Sequence, residues 1–247
     1  SMVDKKILVG DFEIASCFQL DKLPERRCVI NTINAYSWVM TNSDFVFKKA
    51  LQTSDVLLPD GVGVVWATRL LTGIKIKKIA GADLHRMLLE LLEKKQGSCF
   101  YLGASDKTLE KIKLRLSKEY PSIKVGMYSP PYKAQFLEED NRLMIEAIQR
   151  FEPDVVFVGM TAPKQESWIF QNHKFIDTSV ICGIGAVFDF YSGTKSRPPQ
   201  WMIDWNLEWF GRLISEPRRM WKRYLVYNCV FLYDIFKVYM KRGRKKS

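Results

Sequence analysis

The sequence predicts an α/β fold, with a Rossmann-like, mostly parallel sheet flanked by helices and a basic amphipathic helical appendage at the C-terminus. Two observations predict the sheet. Short apolar segments alternate with helical patterns as far as Gly185, and these apolar segments are nearly continuous, as in strands that are buried on both faces. A third observation predicts the appendage: beyond Gly185 the alternation stops, and two helical patterns rich in Trp, Lys and Arg follow.

The predicted strands and helices form one β-α-β-α series. Strands are predicted at RCVINT (27–32), DVLLPD (55–60), SCFYLGA (98–104), IKVGMY (123–128), DVVFVGM (154–160) and TSVICGIG (178–185). Helical spacing is found between them in GVVWATRLL (63–71), ADLHRMLLELLEKK (82–95), DKTLEKIKLRLSKEY (106–120), LEEDNRLMIEAIQRF (137–151) and PKQESWIFQNHKF (163–175). Such a series favours parallel pairing, because each helix carries the chain back across the sheet. Before the series, KILVGDFEIA (6–15) predicts a hairpin or an edge element.

The C-terminal appendage is predicted as two consecutive helices, at residues 200–216 and 217–242. Pro217 suits the first turn of the second helix, because its missing N–H needs no partner there. Residues 195–247 hold thirteen Lys or Arg and four acidic residues, so they carry most of the net charge of +11. We therefore divide the chain into a core (residues 1–195) and the appendage (residues 196–247).

Several classes of protein are excluded by what the composition lacks. The five cysteines form no C-x-x-C pair, which favours reduced thiols in a cytoplasmic protein. No run of about 20 uncharged apolar residues is present, and the first residues have no apolar signal core. The two histidines have no metal-ligand spacing, and no D-x-D motif is present to hold a divalent ion. We therefore expect neither a metal nor a cofactor.

Candidate site residues follow the predicted strands, because ligands of open parallel sheets bind beyond the carboxyl ends of the strands. The first such group is Thr32 with Asn34 and the pair Asp60-Gly61. Asp60 is the one prominent carboxylate, and two interpretations remain open for it. It is either a general base or hydroxyl-binding group, or the N-cap residue of the following helix.

Four further candidates also have a functional and a structural interpretation. Gly103 and Gly185 lie in glycine turns that allow a phosphate to approach the backbone, or that only make tight turns. Asp83 is an N-cap first and a ligand second. Gln165, in PKQE (163–166), either hydrogen-bonds a ligand or belongs to a well-capped helix start.

The basic, aromatic segment EPRRMWKRYL (216–225) admits three functional interpretations. Lys and Arg among aromatic residues bind single-stranded nucleic acid, a basic amphipathic helix lies in a membrane interface, and an arginine cluster holds a diphosphate. A merely solvated terminal helix is disfavoured, because about half of residues 217–240 are large and apolar.

Taken together, these segments resemble the WecG/TagA/CpsF family of bacterial glycosyltransferases (glycosyltransferase family 26) over residues 6–225. The resemblance depends on the order and spacing of seven motifs: NTINA (31–35), LLPDGVGVVWATR (57–69), IAGADL (79–84), YPSIKVG (120–126), PDVVFVGM with APKQESWI (153–169), GIGAVFDFYSGTKSRPPQW (183–201) and LEWFGRLISEPRRMWKRYL (207–225).

The resemblance implies an inverting, metal-independent glycosyltransferase, peripheral to the cytoplasmic face of the cell membrane. Such enzymes move a sugar from a UDP-sugar to a polyprenyl-diphosphate-linked saccharide in the biosynthesis of teichoic acid, capsule or related polysaccharides. In two branches the donor sugar is N-acetylmannosamine or its uronic acid, and the acceptor is GlcNAc-diphosphate-undecaprenol. The partners it implies are the donor, the acceptor and a membrane surface that contacts the C-terminal helices; a homo-oligomer is possible, and no nucleic acid is expected.

By the same resemblance, Asp60 matches the proposed catalytic base, with Thr32 and Asn34 beside it. Gln165 matches a position at the pocket. The arginines that match the tail motif would neutralise the diphosphate of the leaving UDP; they are Arg212, Arg218, Arg219 and Arg223. We also place Gly61, Asp83, Gly103 and Gly185 in the substrate-binding site.

Three departures from the usual pattern leave the donor sugar open. They are Lys78 in place of a common Arg, Thr161 in place of a frequent Gly, and SRPPQW (196–201) in place of RAP-x-W. The rival hypotheses are a basic nucleic-acid-binding α/β protein and a nicotinamide-dependent oxidoreductase. The full G-x-G-x-x-G fingerprint of the oxidoreductase is absent.

Overall fold

The computed structural model describes residues 2–3, 5–205 and 207–246, without the side chains of residues 208 and 209. Its strands are β1 (Lys6–Val9), β2 (Phe12–Ala15), β3 (Cys28–Ile33), β4 (Val56–Pro59), β5 (Ser98–Gly103), β6 (Lys124–Tyr128), β7 (Val155–Gly159) and β8 (Val180–Gly183). Strands β3 to β8 form one six-stranded parallel sheet in the spatial order β4-β3-β8-β7-β5-β6. The predicted α/β fold and all six predicted strands are confirmed. Strands β1 and β2 form a separate antiparallel hairpin.

The helices follow the predicted alternation, with additions. They are α1 (Ala35–Met40), α2 (Phe45–Gln52), α3 (Val62–Thr72), α4 (Gly81–Lys95), α5 (Asp106–Glu119), α6 (Glu138–Phe151), α7 (Lys164–Asn172), α8 (Val187–Ser192), α9 (Gln200–Asp204), α10 (Glu208–Ser215), α11 (Pro217–Lys222) and α12 (Asn228–Lys245). A short 3₁₀ turn (His173–Phe175) extends α7, and a π-helical turn (Arg223–Tyr227) joins α11 to α12. The five helices predicted between the strands are confirmed, as is Pro217 in the first turn of α11.

Three helices were not predicted from the sequence: α1, α2 and α8. Each has eight residues or fewer, which is too short for a clear helical period. The starts of α1 and α2 nevertheless carry recognisable signals. The side chain of Asn34 caps α1, and Asp44 caps α2 by accepting a hydrogen bond from the Phe47 N–H at 2.9 Å. The predicted single helix at 200–216 is two helices, α9 and α10, and Asn206 between them lies outside the described residues.

Buried side chains cover both faces of the sheet. On one face, alternate strand residues such as Ile30, Tyr101 and Phe157 pack with buried residues of α4, α5 and α8. On the other, Phe100 and Val156 pack with residues of α6 and α7. A third cluster joins the hairpin to α1, α2, α3 and α12. Because the sheet is covered on both faces, its strand ends are the positions at which side chains are left for chemistry.

The end of the chain is attached to this third cluster. Phe231 and Ile235 of α12 are buried in it, and the ring of Phe231 contacts that of Trp38 edge-on at 5.7 Å between centroids. The Asn42 amide donates to Asp234 at 2.8 Å, and the Arg242 guanidinium donates to the carbonyls of Leu8 and Leu71. The division of the chain into a core and an appendage at residue 195 stays a prediction. The buried side chains of α12 lie in the same cluster as those of the hairpin, α1, α2 and α3. Within the described parts of the chain, no helix is both long and apolar enough to cross a membrane.

Candidate functional site

The turns after the neighbouring strands β3 and β4 lie side by side at the carboxyl edge of the sheet. The Asp60 N–H donates to the Ile33 carbonyl at 2.9 Å, which joins the two turns. A Cβ atom added to Gly61 would lie 3.8 Å from the Cβ of Asn34. Thr32, half-buried in β3, pairs with Leu58 of β4. The structure therefore brings Thr32, Asn34 and the Asp60-Gly61 pair together, as the sequence predicts.

Asp60 is half-buried and does not hold the N-cap position of α3. That position is taken by Gly61, whose φ of 98° is accessible to glycine and which has no side chain to cap the helix. The interpretation of Asp60 as the N-cap residue is therefore wrong, because the helix begins one residue later than it requires. The functional interpretation of this carboxylate stays open.

Asn34 has its orientation fixed by the start of α1. Its Oδ1 accepts a hydrogen bond from the Ser37 N–H, and its own N–H donates to the Ser37 Oγ, both at 2.8 Å. This reciprocal capping box leaves the Asn34 Nδ2 with no hydrogen bond to the residues that the structure describes. The amide therefore presents fixed N–H donors next to Asp60.

Gln165 is buried and ties the turns after β7 and β8 together. Its Oε1 accepts from the N–H of Gly185 at 3.0 Å and from the N–H of Met160 at 3.3 Å. Its Nε2 donates to the Glu166 carboxylate at 2.8 Å. These bonds hold the Gly185 turn, where φ is 56°, in place. The role of Gln165 and Gly185 as substrate ligands stays a prediction.

Glu166 is a buried acid in PKQE (163–166), a segment whose sequence predicts only a favourable helix start at this position. Burial raises its pKa to about 7, and the Gln165 hydrogen bond opposes this rise. Its Oε2 has no partner among the described residues. The helical spacing of α7 could have indicated this burial, because Gln165 and Glu166 lie on the same buried face as Trp168 and Ile169.

Asp83 occupies the third position of α4, not the N-cap position that the sequence predicts. The N-cap residue is Ala80, whose N–H donates to the Asp83 carboxylate at 2.9 Å. A Cβ atom on Gly81 would meet the Ile184 carbonyl at 3.0 Å, so the start of α4 packs on the turn after β8. Asp83 thus stabilises a helix start at the same edge of the sheet, and its binding role stays a prediction.

Gly103 ends β5 with a φ of 132°, and a Cβ atom there would lie 2.2 Å from the Gly159 carbonyl oxygen of β7. This close approach explains a glycine at position 103 without any ligand. We expect Gly103→Ala to lower the free energy of unfolding by about 3 kcal/mol, or the melting temperature by about 6–12 °C.

Gly193→Ala is the matched control for calorimetry, since Gly193 also has a positive φ (81°) but no atom lies within 4 Å of an added Cβ. We expect it to cost only about 1 kcal/mol. Equal melting temperatures for the two variants would contradict the steric explanation.

The appendage docks beside Asn34 through Arg223. The Arg223 guanidinium lies over the Tyr36 ring, 4.0 Å from its centroid, and Tyr36 also contacts Tyr227 edge-on at 4.7 Å. On the core side, the Lys78 ammonium donates to the Ile203 carbonyl of α9 at 2.9 Å. Tyr36 was not among the predicted site residues, although it lies two positions after Asn34 in NTINAY.

The arginines of the tail form a positively charged group around Arg223. Burial is the main cause that lowers the pKa of Arg223, and the nearby charges of Arg212 and Arg219 lower it further. A guanidinium remains protonated in proteins, so the repulsion is not relieved by loss of a proton. Arg219 has an ion pair with Glu216 at 3.5 Å, whereas Arg223 has no carboxylate partner in the described part of the chain. Arg218 is exposed, at a shallow groove of about 310 Å³.

A groove of about 600 Å³ lies at the opposite edge of the sheet. It is lined by residues next to the amino ends of β7 and β8, among them Asp154, Asp177 and Ser179. None of the predicted site residues lines it. The candidate site is therefore defined by the polar groups that converge at the carboxyl edge of the sheet, and this groove is not part of it.

Comparison with known proteins gives matches that cover most of the chain. Residues 13–245 match the glycosyl transferase WecG/TagA/CpsF family. An N-acetylglucosaminyldiphosphoundecaprenol N-acetyl-beta-D-mannosaminyltransferase of Bacillus subtilis (strain 168) is 38% identical over 197 residues, covering 80% of this chain and 75% of that protein. The protein of the same name from Bacillus spizizenii is 33% identical over 72% of this chain and 67% of its own length. That of Staphylococcus aureus (strain MW2) is 28% identical over 81% of this chain and 76% of its own length.

Proposed function

The chain belongs to the WecG/TagA/CpsF family of glycosyltransferases, and from this membership we propose that it transfers a sugar from a UDP-sugar to a polyprenyl-diphosphate-linked saccharide. The proposed sugar is N-acetylmannosamine or a related hexose or uronic acid, and the proposed acceptor carries GlcNAc on diphospho-undecaprenol. The names of the relatives support both choices, since they describe N-acetylmannosaminyl transfer to that lipid. The proposed process is the biosynthesis of a cell-surface polysaccharide.

Asp60 is the proposed general base of an inverting displacement. The acceptor hydroxyl oxygen attacks the anomeric carbon, and its proton passes to the Asp60 carboxylate. As the new C–O bond forms, the bond between the anomeric carbon and the phosphate oxygen breaks, and UDP leaves with the electron pair. The support is positional: Asp60 is half-buried at the strand edge and is not the N-cap residue of α3.

Thr32 and Asn34 are the proposed orienting groups for the sugar. Asn34 is suited to this role because the capping box fixes its amide while its Nδ2 makes no bond to any described residue. Gly61 and Gly185 are proposed to leave room at the strand ends for the donor, and Asp83 and Gln165 stabilise the turns beside it. The binding role of Gly103 stays a prediction, because the Gly159 carbonyl fills the space next to it.

The tail arginines are the proposed substitute for a metal at the diphosphate. Negative charge develops on the leaving UDP, and guanidinium groups can stabilise it through paired, charge-assisted hydrogen bonds. Arg223 supports this best, since it is half-buried, lies near Arg212 and Arg219, and stacks on Tyr36 next to Asn34. This contact between the tail and the Asn34 turn is the observation that carries the proposal.

The proposed location is the cytoplasmic face of the cell membrane, with the C-terminal helices on the bilayer. These helices expose Trp205, Ile214, Trp221, Leu225 and Phe236 among many Lys and Arg residues. Aromatic and aliphatic side chains with a basic surround are the composition of interfacial helices. Self-association stays a prediction.

A panel of UDP-sugars tests the proposal, with a polyprenyl-diphosphate-GlcNAc analogue as acceptor. We expect UDP release that depends on the acceptor, is fastest with UDP-N-acetylmannosamine or its uronic acid, and is unchanged by EDTA. The acceptor should gain the mass of one sugar. Salt-sensitive binding to oligonucleotides, with no UDP release from any donor, would instead favour the nucleic-acid-binding alternative.

A further inference from the structure

Helix α3 exposes an apolar stripe on the core itself. Val62, Trp66 and Leu70 are spaced four residues apart, and their exposed fractions are 48%, 44% and 46%. The opposite face of α3 is buried, through residues such as Val64 and Ala67. Side chains four residues apart lie on one face of a helix, so the three form a continuous strip rather than scattered exposed residues.

The segment that carries this stripe and continues beyond it is basic. Residues 61–82 contain four Lys or Arg and no acidic residue; the cations are Arg69, Lys75, Lys77 and Lys78. The first three of these are exposed. An apolar strip with a central Trp, in a segment whose charged residues between 61 and 82 are all cations, complements an anionic lipid surface in both polarity and charge.

The stripe begins at the turn that carries the proposed base and continues towards the C-terminal helix. Val62 follows Asp60-Gly61 directly. Helix α12 packs beside α3, because an added Cβ on Gly63 would lie 3.4 Å from the Phe231 ring, and Arg242 donates to the Leu71 carbonyl. Helix α12 itself exposes Leu232, Phe236 and Tyr239. The two neighbouring helices therefore both present apolar side chains to the exterior.

We propose that the exposed face of α3 is a second membrane contact, in which Val62, Trp66 and Leu70 enter the interface of an anionic bilayer. It lies in the core and is separate from the contact assigned to the C-terminal helices. The inference rests on the proposed function in one respect: a lipid-linked acceptor gives a reason for the Asp60 turn to lie at the bilayer surface. Membrane contact by the helix that follows this turn sets the height of the site above the lipid.

The test measures sedimentation of the full chain with vesicles of phosphatidylglycerol and phosphatidylcholine. We expect the double variant Trp66→Gln/Leu70→Gln to lower the partition coefficient by about tenfold, since each substitution removes apolar area from the lipid. Leu114→Gln/Leu143→Gln is the matched control on α5 and α6, with exposed fractions of 58% and 39% in the parent. It should bind as the parent does.

Two further measurements make the result decisive. Transfer to a water-soluble, short-chain acceptor should be the same in the α3 variant and the parent, while transfer to vesicle-embedded acceptor falls. Parent-like vesicle binding by the α3 variant overturns the proposal. A second outcome also overturns it: sedimentation without vesicles shows that the parent self-associates and the variant does not, while both bind vesicles equally. The stripe is then a contact between two copies of the chain. The binding assay needs no turnover, so a failure of the proposed transferase activity is detected separately by the donor panel.

Discussion

Asp60→Asn should reduce sugar transfer by about 10²–10⁴-fold while donor binding is retained, because the amide keeps the shape of the carboxylate but cannot accept the acceptor's proton. Turnover is measured as UDP release with saturating donor and acceptor. Binding of UDP-sugar is measured by calorimetry on the same preparation. The effect should appear in kcat rather than in the donor KM, since the missing group acts in the transition state.

Asp44→Asn is the matched control for this substitution. Asp44 caps α2 through the Phe47 N–H, and Asn is an equally good N-cap residue, so both turnover and melting temperature should stay at parental values. Near-parental turnover of Asp60→Asn would eliminate the general-base role. A large fall in its melting temperature would instead assign Asp60 a structural role in the turn.

The strands of the sheet could be predicted from the sequence because burial on both faces leaves an unmistakable pattern. The segment VVFVG (155–159) is apolar throughout, and every residue of it is buried in β7, as is typical of a parallel strand with both faces covered. The short helices α1 and α8, with six residues each, have fewer than two turns and give no period to detect. Their existence is decided by capping and tertiary packing.

The candidate site was predicted in part, for a topological reason. Parallel strands bring their carboxyl ends to one edge, so Asn34 and Asp60 had to be neighbours once β3 and β4 were adjacent. The docking of the tail could not be predicted in the same way. The contact of Tyr36 with Arg223 joins residues far apart in the sequence, and no local pattern specifies such a pair. The burial of Phe231 and Ile235 by the core is equally non-local.

Arg223→Ala should reduce transfer by about 10²-fold or more, since it removes a preorganised charge from the proposed diphosphate site. Tyr36→Ala should lower kcat by about tenfold, because loss of a partly desolvated cation–π contact leaves the guanidinium less well positioned. Tyr36→Phe should keep the parental rate, because the cation–π contact with Arg223 depends on the ring and not on the hydroxyl. Steady-state kinetics with varied UDP-sugar measures all three variants.

Point substitutions test the proposed role of Arg223 at the diphosphate more cleanly than deletion of the appendage does. A deletion from residue 196 removes Phe231 and Ile235, which uncovers Trp38 and its neighbours, so lost activity would not distinguish a missing arginine from a damaged core. Lys222→Ala is the matched control, because Lys222 is an exposed cation next to Arg223 and its loss changes the net charge equally. If Lys222→Ala and Arg223→Ala lose activity to the same extent, the tail contributes only diffuse positive charge. If Arg223→Ala alone loses activity and Tyr36→Phe stays fully active, the negative charge of the diphosphate is neutralised by one guanidinium, which the ring of Tyr36 holds against α1.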